Sequence, residues 1–128
     1  MGQKANFIRK ITLDDVVNFQ NLTGDENPLH TNELYAKQTK FKKPIVYGLL
    51  IQSFFSRLAG VHLPGKYCLI LSINTQFRKP CFVGDVLTIS GEITSKSDST
   101  KIITLKTEII NTNKEVIAGG GITIQLLK

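Results

Sequence analysis

The sequence predicts an α+β domain in which an antiparallel β-sheet packs around one long, very apolar helix. Three observations carry this. Capping and breaking signals mark helices in the first half, including an apolar run over residues 47–59. Four segments of the second half alternate apolar with polar residues, and short polar turns connect them. Helices followed by hairpin-linked strands is the α+β order. With 128 residues the chain is read as one domain, 1–128, with room for a core that needs neither disulfide nor metal.

The elements follow in order. Residues 5–10 mix apolar and basic side chains and read as a short strand. Thr12 then opens a helix: Thr12 and Asp15 make a capping box, and Ile11 with Val16 is placed as a hydrophobic staple. Val16, Phe19 and Leu22 continue an apolar stripe that Gly24 ends. Asn32 caps a second short helix that runs to about Gln38. The run 47–59 leaves almost no polar face, the pattern of a helix buried on all sides, and Gly60 with Pro64-Gly65 terminates it.

Leu69, Leu71, Ile73, Thr75 and Phe77 alternate with Ser72, Asn74 and Gln76 as a half-buried strand. Residues 86–93, entered through Val83-Gly84-Asp85, give the next strand. Ile103, Leu105 and Ile109 mark a third, and 116–127 a fourth, longer one. Residues 95–99 and 111–113 have hairpin-turn composition. Gly119-Gly120-Gly121 lies inside a strand pattern, where it signals a bulge or close backbone approach rather than a phosphate loop. A four- or five-stranded sheet with an exposed edge invites a second copy, so a homodimer is expected.

Composition bounds the function. A hydrophobic fraction of 41% and a mean hydropathy of +0.01 describe an ordinary globular chain. No apolar run reaches the roughly 18 residues of a membrane span, and the N-terminus lacks the apolar core of a signal peptide. A cytoplasmic protein without a membrane partner is the expectation. Cys68 and Cys81 read as reduced, small apolar residues at a spacing that matches no metal motif, so no metal is expected. The net charge of +6 draws attention to Lys37, Lys40, Lys42 and Lys43 around Phe41. No nucleic-acid motif accompanies them. The cluster reads as a solvated basic face, or as a steering patch for an anionic substrate such as a phosphate-bearing thioester carrier.

The segment Thr23-Gly24-Asp25-Glu26-Asn27-Pro28-Leu29-His30 carries the chemistry. A carboxylate and an imidazole stand five residues apart around an Asn-Pro break. Pro28 cannot sit in a helix interior and pushes Asn27 toward extended geometry. A turn here can aim Asp25 and His30 at one point, as an acid–base pair sharing one water requires. Taken alone, Asp25 and Asn27 are equally turn residues and His30 a structural histidine. Likewise, Gly48 can relieve crowding at a helix entrance, and Ser56 can bond back into its helix. His62 is read as a loop residue and Asp85 as a strand start.

In order, the blocks at 23–30, Phe41-Lys42-Lys43-Pro44-Ile45-Val46, Tyr47-Gly48-Leu49-Leu50, Ser53-Phe54-Phe55-Ser56, Leu63-Pro64-Gly65, Phe77-Arg78-Lys79-Pro80 and Val83-Gly84-Asp85 closely resemble the MaoC-like, type-2 (R-specific) enoyl-CoA hydratases. The resemblance covers nearly the whole chain. It implies a hot-dog fold, a curved antiparallel sheet around a central helix, working as a homodimer. The implied reaction is reversible addition of water to a trans-2-enoyl thioester, giving a 3R-hydroxyacyl thioester. Asp25 and His30 align with the catalytic pair, Gly48 with the glycine whose N–H binds the thioester carbonyl, and Ser56 with an active-site serine. No separate cofactor is implied: coenzyme A or acyl carrier protein enters as part of the substrate.

Many family members have His-Gly at the helix entrance, whereas this chain has Tyr47-Gly48. Tyr47 is therefore a candidate modifier of the site, and Asn27 is carried as a second one. A hot-dog acyl-thioester hydrolase and a non-catalytic thioester-binding module are the alternatives.

Overall fold

A computed structural model describes residues 1–128. Strand β1 (Lys4–Lys10) is followed by four helical segments, α1 (Leu13–Thr23), α2 (Pro28–Thr31), α3 (Glu33–Lys37) and α4 (Gly48–Arg57). Strands β2 (Cys68–Phe77), β3 (Val86–Ser97), β4 (Ile102–Ile110) and β5 (Val116–Leu126) complete the chain. They form one antiparallel sheet in the order β1-β3-β4-β5-β2, so the meander β3-β4-β5 is central and β1 and β2 are the edges.

Alternation along β3, β4 and β5 puts one apolar face toward α4. The paired residues Ile89–Ile109, Ile93–Leu105, Leu105–Ile122 and Ile103–Ile124 are all buried, which layers branched side chains across three strands. A transverse row of small residues interrupts these layers: Ala5, Gly91, Thr107, Gly120 and Thr75 are paired strand by strand across all five strands. The helical layer comes close along this row. Gln52 of α4 donates to the Thr75 hydroxyl at 3.0 Å, and a methyl group on Gly91 would lie 2.9 Å from Leu58 Cδ2. At Gly120 the close neighbour is backbone, because a Cβ there would lie 1.8 Å from the Asn74 carbonyl oxygen. The glycine tract thus serves close backbone approach. The register shift of the β2–β5 pair falls elsewhere, between Ile70 and Ser72.

That shift corrects the reading of β2. Ile70 and Ile73 pack against the core, whereas Leu69 and Leu71 are exposed, because the irregularity changes which residues face inward. The β3–β4 turn lies at 98–101 rather than 95–99, with Lys101 in the left-handed region (φ 59°) and β3 correspondingly longer. His62 is not in a loop: α4 continues into one π-helical turn, Leu58–His62, and the imidazole stacks on Phe7. Asp85 precedes β3 and accepts the Phe82 N–H in the preceding turn.

Helix α1 has both signals read from the sequence. Thr12 and Asp15 form the reciprocal capping box, and Gly24 closes the helix at φ 74°. Helix α4 departs from expectation on one flank. Leu50, Ile51 and Phe55 are buried, but Leu49 is 62% exposed and Ser53, Ser56 and Arg57 are exposed. A single sheet covers one side of the helix, so an apolar composition all round leaves the other side uncovered.

Candidate active site

Asn27 and Pro28 start a helix instead of only breaking the chain. Asn27, extended in backbone (ψ 123°), caps α2 by accepting the Leu29 N–H at 3.0 Å, and Pro28 occupies the first helical position, where its missing N–H costs nothing. His30 therefore projects from one short turn of helix. Asp25 stands just before it, exposed, with its carboxylate Oδ1 accepting the Asn27 N–H at 3.1 Å. Two overlapping side-chain-to-backbone turns thus shape the segment.

His30 Nδ1 lies 2.8 Å from the carbonyl oxygen of Ile45. A carbonyl only accepts, so Nδ1 carries the proton and donates it, which leaves Nε2 as the free nitrogen of the neutral ring. The Ile45 N–H returns a hydrogen bond to the Leu29 carbonyl at 3.2 Å, so the two segments brace one another.

Gly48 is the first residue of α4, and its N–H makes no hydrogen bond within the protein. It is one of the orphan donors every helix N-terminus presents, at the positive end of the helix dipole. A methyl group at Gly48 would lie 3.1–3.3 Å from the Phe77 ring, so glycine keeps this N–H approachable beside an aromatic wall. Gly48 and His30 line the same cavity, of about 390 Å³, together with Ile51 and Phe77. Lys40 and Arg78 add positive charge to its lining, whereas Lys79 is paired with Glu115 at 2.6 Å. A larger concavity of about 700 Å³ lies over Gly119, Gly120 and Gly121. Its lining is mostly polar and includes none of the candidate site residues.

Tyr47 is not a wall of the His30–Gly48 cavity. It is 2% exposed, its phenol donates to the Asp25 carbonyl at 2.6 Å, and its ring lies against His30 with centroids 4.3 Å apart. Burial, then the charges of Asp25 and Glu26, push its phenol above the ordinary tyrosine value. Cys81 does line the cavity, and burial followed by the Asp85 charge pushes its thiol up to about 12, so it stays protonated.

The structure therefore brings His30 and Gly48 together in one cavity; Asp25 does not line it, and its backbone carbonyl is tied to them through Tyr47. It does not bring Ser56 to the same cavity: that residue is exposed, eight positions along α4 from Gly48. Asn27 acts locally, as a cap. Sequence reasoning missed Ile45 and Phe77 as site components. Ile45 lines the cavity and fixes the imidazole through its backbone carbonyl, which no residue type signals, and Phe77 reads in the sequence as an ordinary strand position.

A family model described as a MaoC like domain matches residues 1–115. The (R)-specific enoyl-CoA hydratase of Aeromonas caviae is 36% identical over 98% of this chain and 94% of its own length. A mitochondrial 3-hydroxyacyl-acyl-carrier-protein dehydratase of Solanum lycopersicum is 30% identical over 98% of the chain and 76% of its own length. Among solved structures, an (R)-hydratase from A. caviae involved in PHA biosynthesis superposes with a TM-score of 0.93 at 37% identity, covering 98% of this chain and 95% of that one.

Proposed function

The chain belongs to the MaoC-like domain family and has the hot-dog fold, and from that premise we propose that it is a hydratase acting on trans-2-enoyl-CoA, giving the 3R-hydroxyacyl thioester, or running the reverse dehydration. The observation that carries the proposal is the shared cavity. An imidazole with a fixed tautomer and an unpaired helix N-terminal N–H line one space.

The chemistry follows from those groups. The Asp25 carboxylate and His30 Nε2 are both acceptors, so a water held between them would donate an O–H to each and keep a lone pair for C3 of the substrate. As the new C3–O bond forms, the double-bond electrons move toward the thioester carbonyl, whose oxygen gains negative charge. The Gly48 N–H, aided by the helix dipole, stabilises that oxygen without reorganising. The proton taken from water by the pair is balanced by one delivered to C2, and the sum is addition of H and OH. Cationic Lys40 and Arg78 suit a substrate that carries phosphates. Coenzyme A and acyl carrier protein both present that chemistry, and no resident cofactor is required.

We place the working state as a homodimer in the cytoplasm. Exposed Leu49 on α4, with Leu69, Leu71 and Phe77 on edge strand β2, supports a covering second copy. No helix is long and apolar enough to cross a membrane.

The test is loss of enoyl absorbance with crotonyl-CoA, followed by chiral analysis of the product. Asp25→Asn and His30→Ala should each lower kcat by about 10²–10⁴ with the fold intact by circular dichroism. Near-wild-type rates in both would remove the assignment. Release of free thiol without loss of the enoyl band would replace it with a thioesterase. Light scattering on the same preparations should give twice the chain mass, and a monomer overturns the dimer.

A further inference from the structure

Tyr47 touches both members of the Asp25–His30 pair, and each contact has a different partner atom. Its O–H donates to the backbone carbonyl of Asp25. One side of its ring meets the His30 imidazole, and Phe19 of α1 lies against it with centroids 4.8 Å apart. The segment from Asp25 to His30 has only three hydrogen bonds to distant chain. Ile45 makes two of them, at Leu29 and His30, and Tyr47 makes the third. All others there are local turns and caps. Tyr47 is thus the sole long-range hydrogen-bond anchor of Asp25.

We infer that Tyr47 is a positioning residue for hydration: its phenol sets where the Asp25 carboxylate stands relative to the His30 ring, without touching the substrate. This rests on the hydratase reading above. The residue is buried and absent from the His30–Gly48 cavity, which removes it as a substrate contact. Its raised phenol value keeps the donor protonated through neutral and mildly alkaline pH, so the anchor does not titrate in the working range. Asp25 itself is exposed. Water can therefore take over its carbonyl when the phenol is removed, so stability changes little while the placement of the carboxylate is lost. A displacement on the order of 1 Å is enough to slow a positioned reaction by up to about 100-fold.

The experiment compares wild type with Tyr47→Phe, which keeps the ring and deletes the donor. Three readouts are used: crotonyl-CoA kinetics across pH, thermal melting, and amide exchange at Asn27 and Leu29 in the substrate-free protein. The expected result is a kcat lowered about tenfold or more, with KM within about twofold and melting nearly unchanged. The pH profile should keep its shape, since no group that titrates in the working range was removed, and both amides should exchange faster. A wild-type kcat in the variant overturns the inference and leaves the hydratase reading standing. So does a loss confined to melting, because that is a structural role alone. If the alkaline limb of the profile vanishes, Tyr47 is itself a proton donor and the positioning role is wrong. Should wild type fail to hydrate any enoyl-CoA, the hydratase reading fails separately. Amide exchange then decides the anchor alone: faster exchange at Asn27 and Leu29 supports it, unchanged exchange overturns it.

Discussion

Strands β3, β4 and β5 and the segment between α1 and α4 are held by different means. The strands exchange backbone hydrogen bonds along their whole length and bury Ile89, Ile103, Leu105, Ile109, Ile122 and Ile124 almost completely. The segment from Gly24 to Lys43 buries one side chain, Ala36, and relies on Asx turns, short caps and a few anchors. Apolar burial stabilises in proportion to area and is non-directional. Directed polar contacts contribute about 1 kcal/mol each but fix atoms to tenths of an ångström. The sheet thus carries the stability, while the turn carries the geometry that the proposed chemistry needs.

The largest effect should come from breaking the sheet side. Gly120→Ala places a methyl 1.8 Å from the Asn74 carbonyl oxygen and 3.1 Å from Thr75 Cα, both backbone of the paired strand. Neither can yield without opening the β2–β5 pairing, so a loss of about 3 kcal/mol or more is expected by chemical denaturation. Gly91→Ala in the same row meets a side-chain end, Leu58 Cδ2 at 2.9 Å, rather than backbone; Leu58 is fully buried, so the core must shift to make room, and the loss should be smaller, about 2 kcal/mol. In both, turnover per folded molecule should stay near wild type. Equal losses at the two glycines would mean that the transverse row is not a backbone constraint.

The mirror-image change sharpens the comparison from the site side. In Gly48→Ala the new methyl sits 3.1–3.3 Å from the Phe77 ring and beside the proposed oxyanion donor. Phe77 is 49% exposed and able to shift by a few tenths of an ångström, so stability should change by less than about 1 kcal/mol. Activity should suffer more. Crowding the approach to one oxyanion N–H is expected to lower kcat by about tenfold, a smaller loss than full removal of such a donor. A variant with unaltered kcat but reduced stability would reverse the division of labour between the two regions.

The two regions were also unequally legible in the sequence. Alternation placed β3, β4 and β5, and capping chemistry placed α1, because each reads out a local rule: period two for a sheet face, Thr-x-x-Asp and Gly for helix ends. The inward face of β2 is not legible, because the shift between Ile70 and Ser72 leaves no mark in residue types. The exposed flank of α4 is not legible either, because apolar composition reports that a surface wants cover, not whether the same chain provides it. Within the site, side-chain chemistry at Asp25, His30 and Gly48 could be seen. The Ile45 carbonyl that fixes the imidazole, and the Tyr47 reach across 22 residues to the Asp25 carbonyl, depend on tertiary placement and could not.

The smallest expected effect lies outside both regions, at the start of α1, whose last residue Thr23 and cap Gly24 precede the turn. Thr12→Ala removes the hydroxyl that accepts the Asp15 N–H at 3.1 Å, and should cost about 1 kcal/mol at neutral pH with kcat unchanged. Its partner gives this contribution a pH dependence of known sign. Burial alone would raise the Asp15 carboxyl. The Arg9 guanidinium at 2.6 Å and the hydrogen bonds from Thr12 outweigh it and hold the group below its ordinary value of 3.8. A folded value lower than the unfolded one means that stabilisation is fully present above about pH 4. It is lost as pH falls from there through the lowered folded value. Urea titrations of wild type and Asp15→Asn should therefore differ most near neutral pH, where wild type is the more stable, and converge in acid. A difference that is flat from pH 7 to pH 2 would show that the cap works through shape alone. A kcat that falls along with this loss would show that the end of α1 is coupled to the turn it precedes.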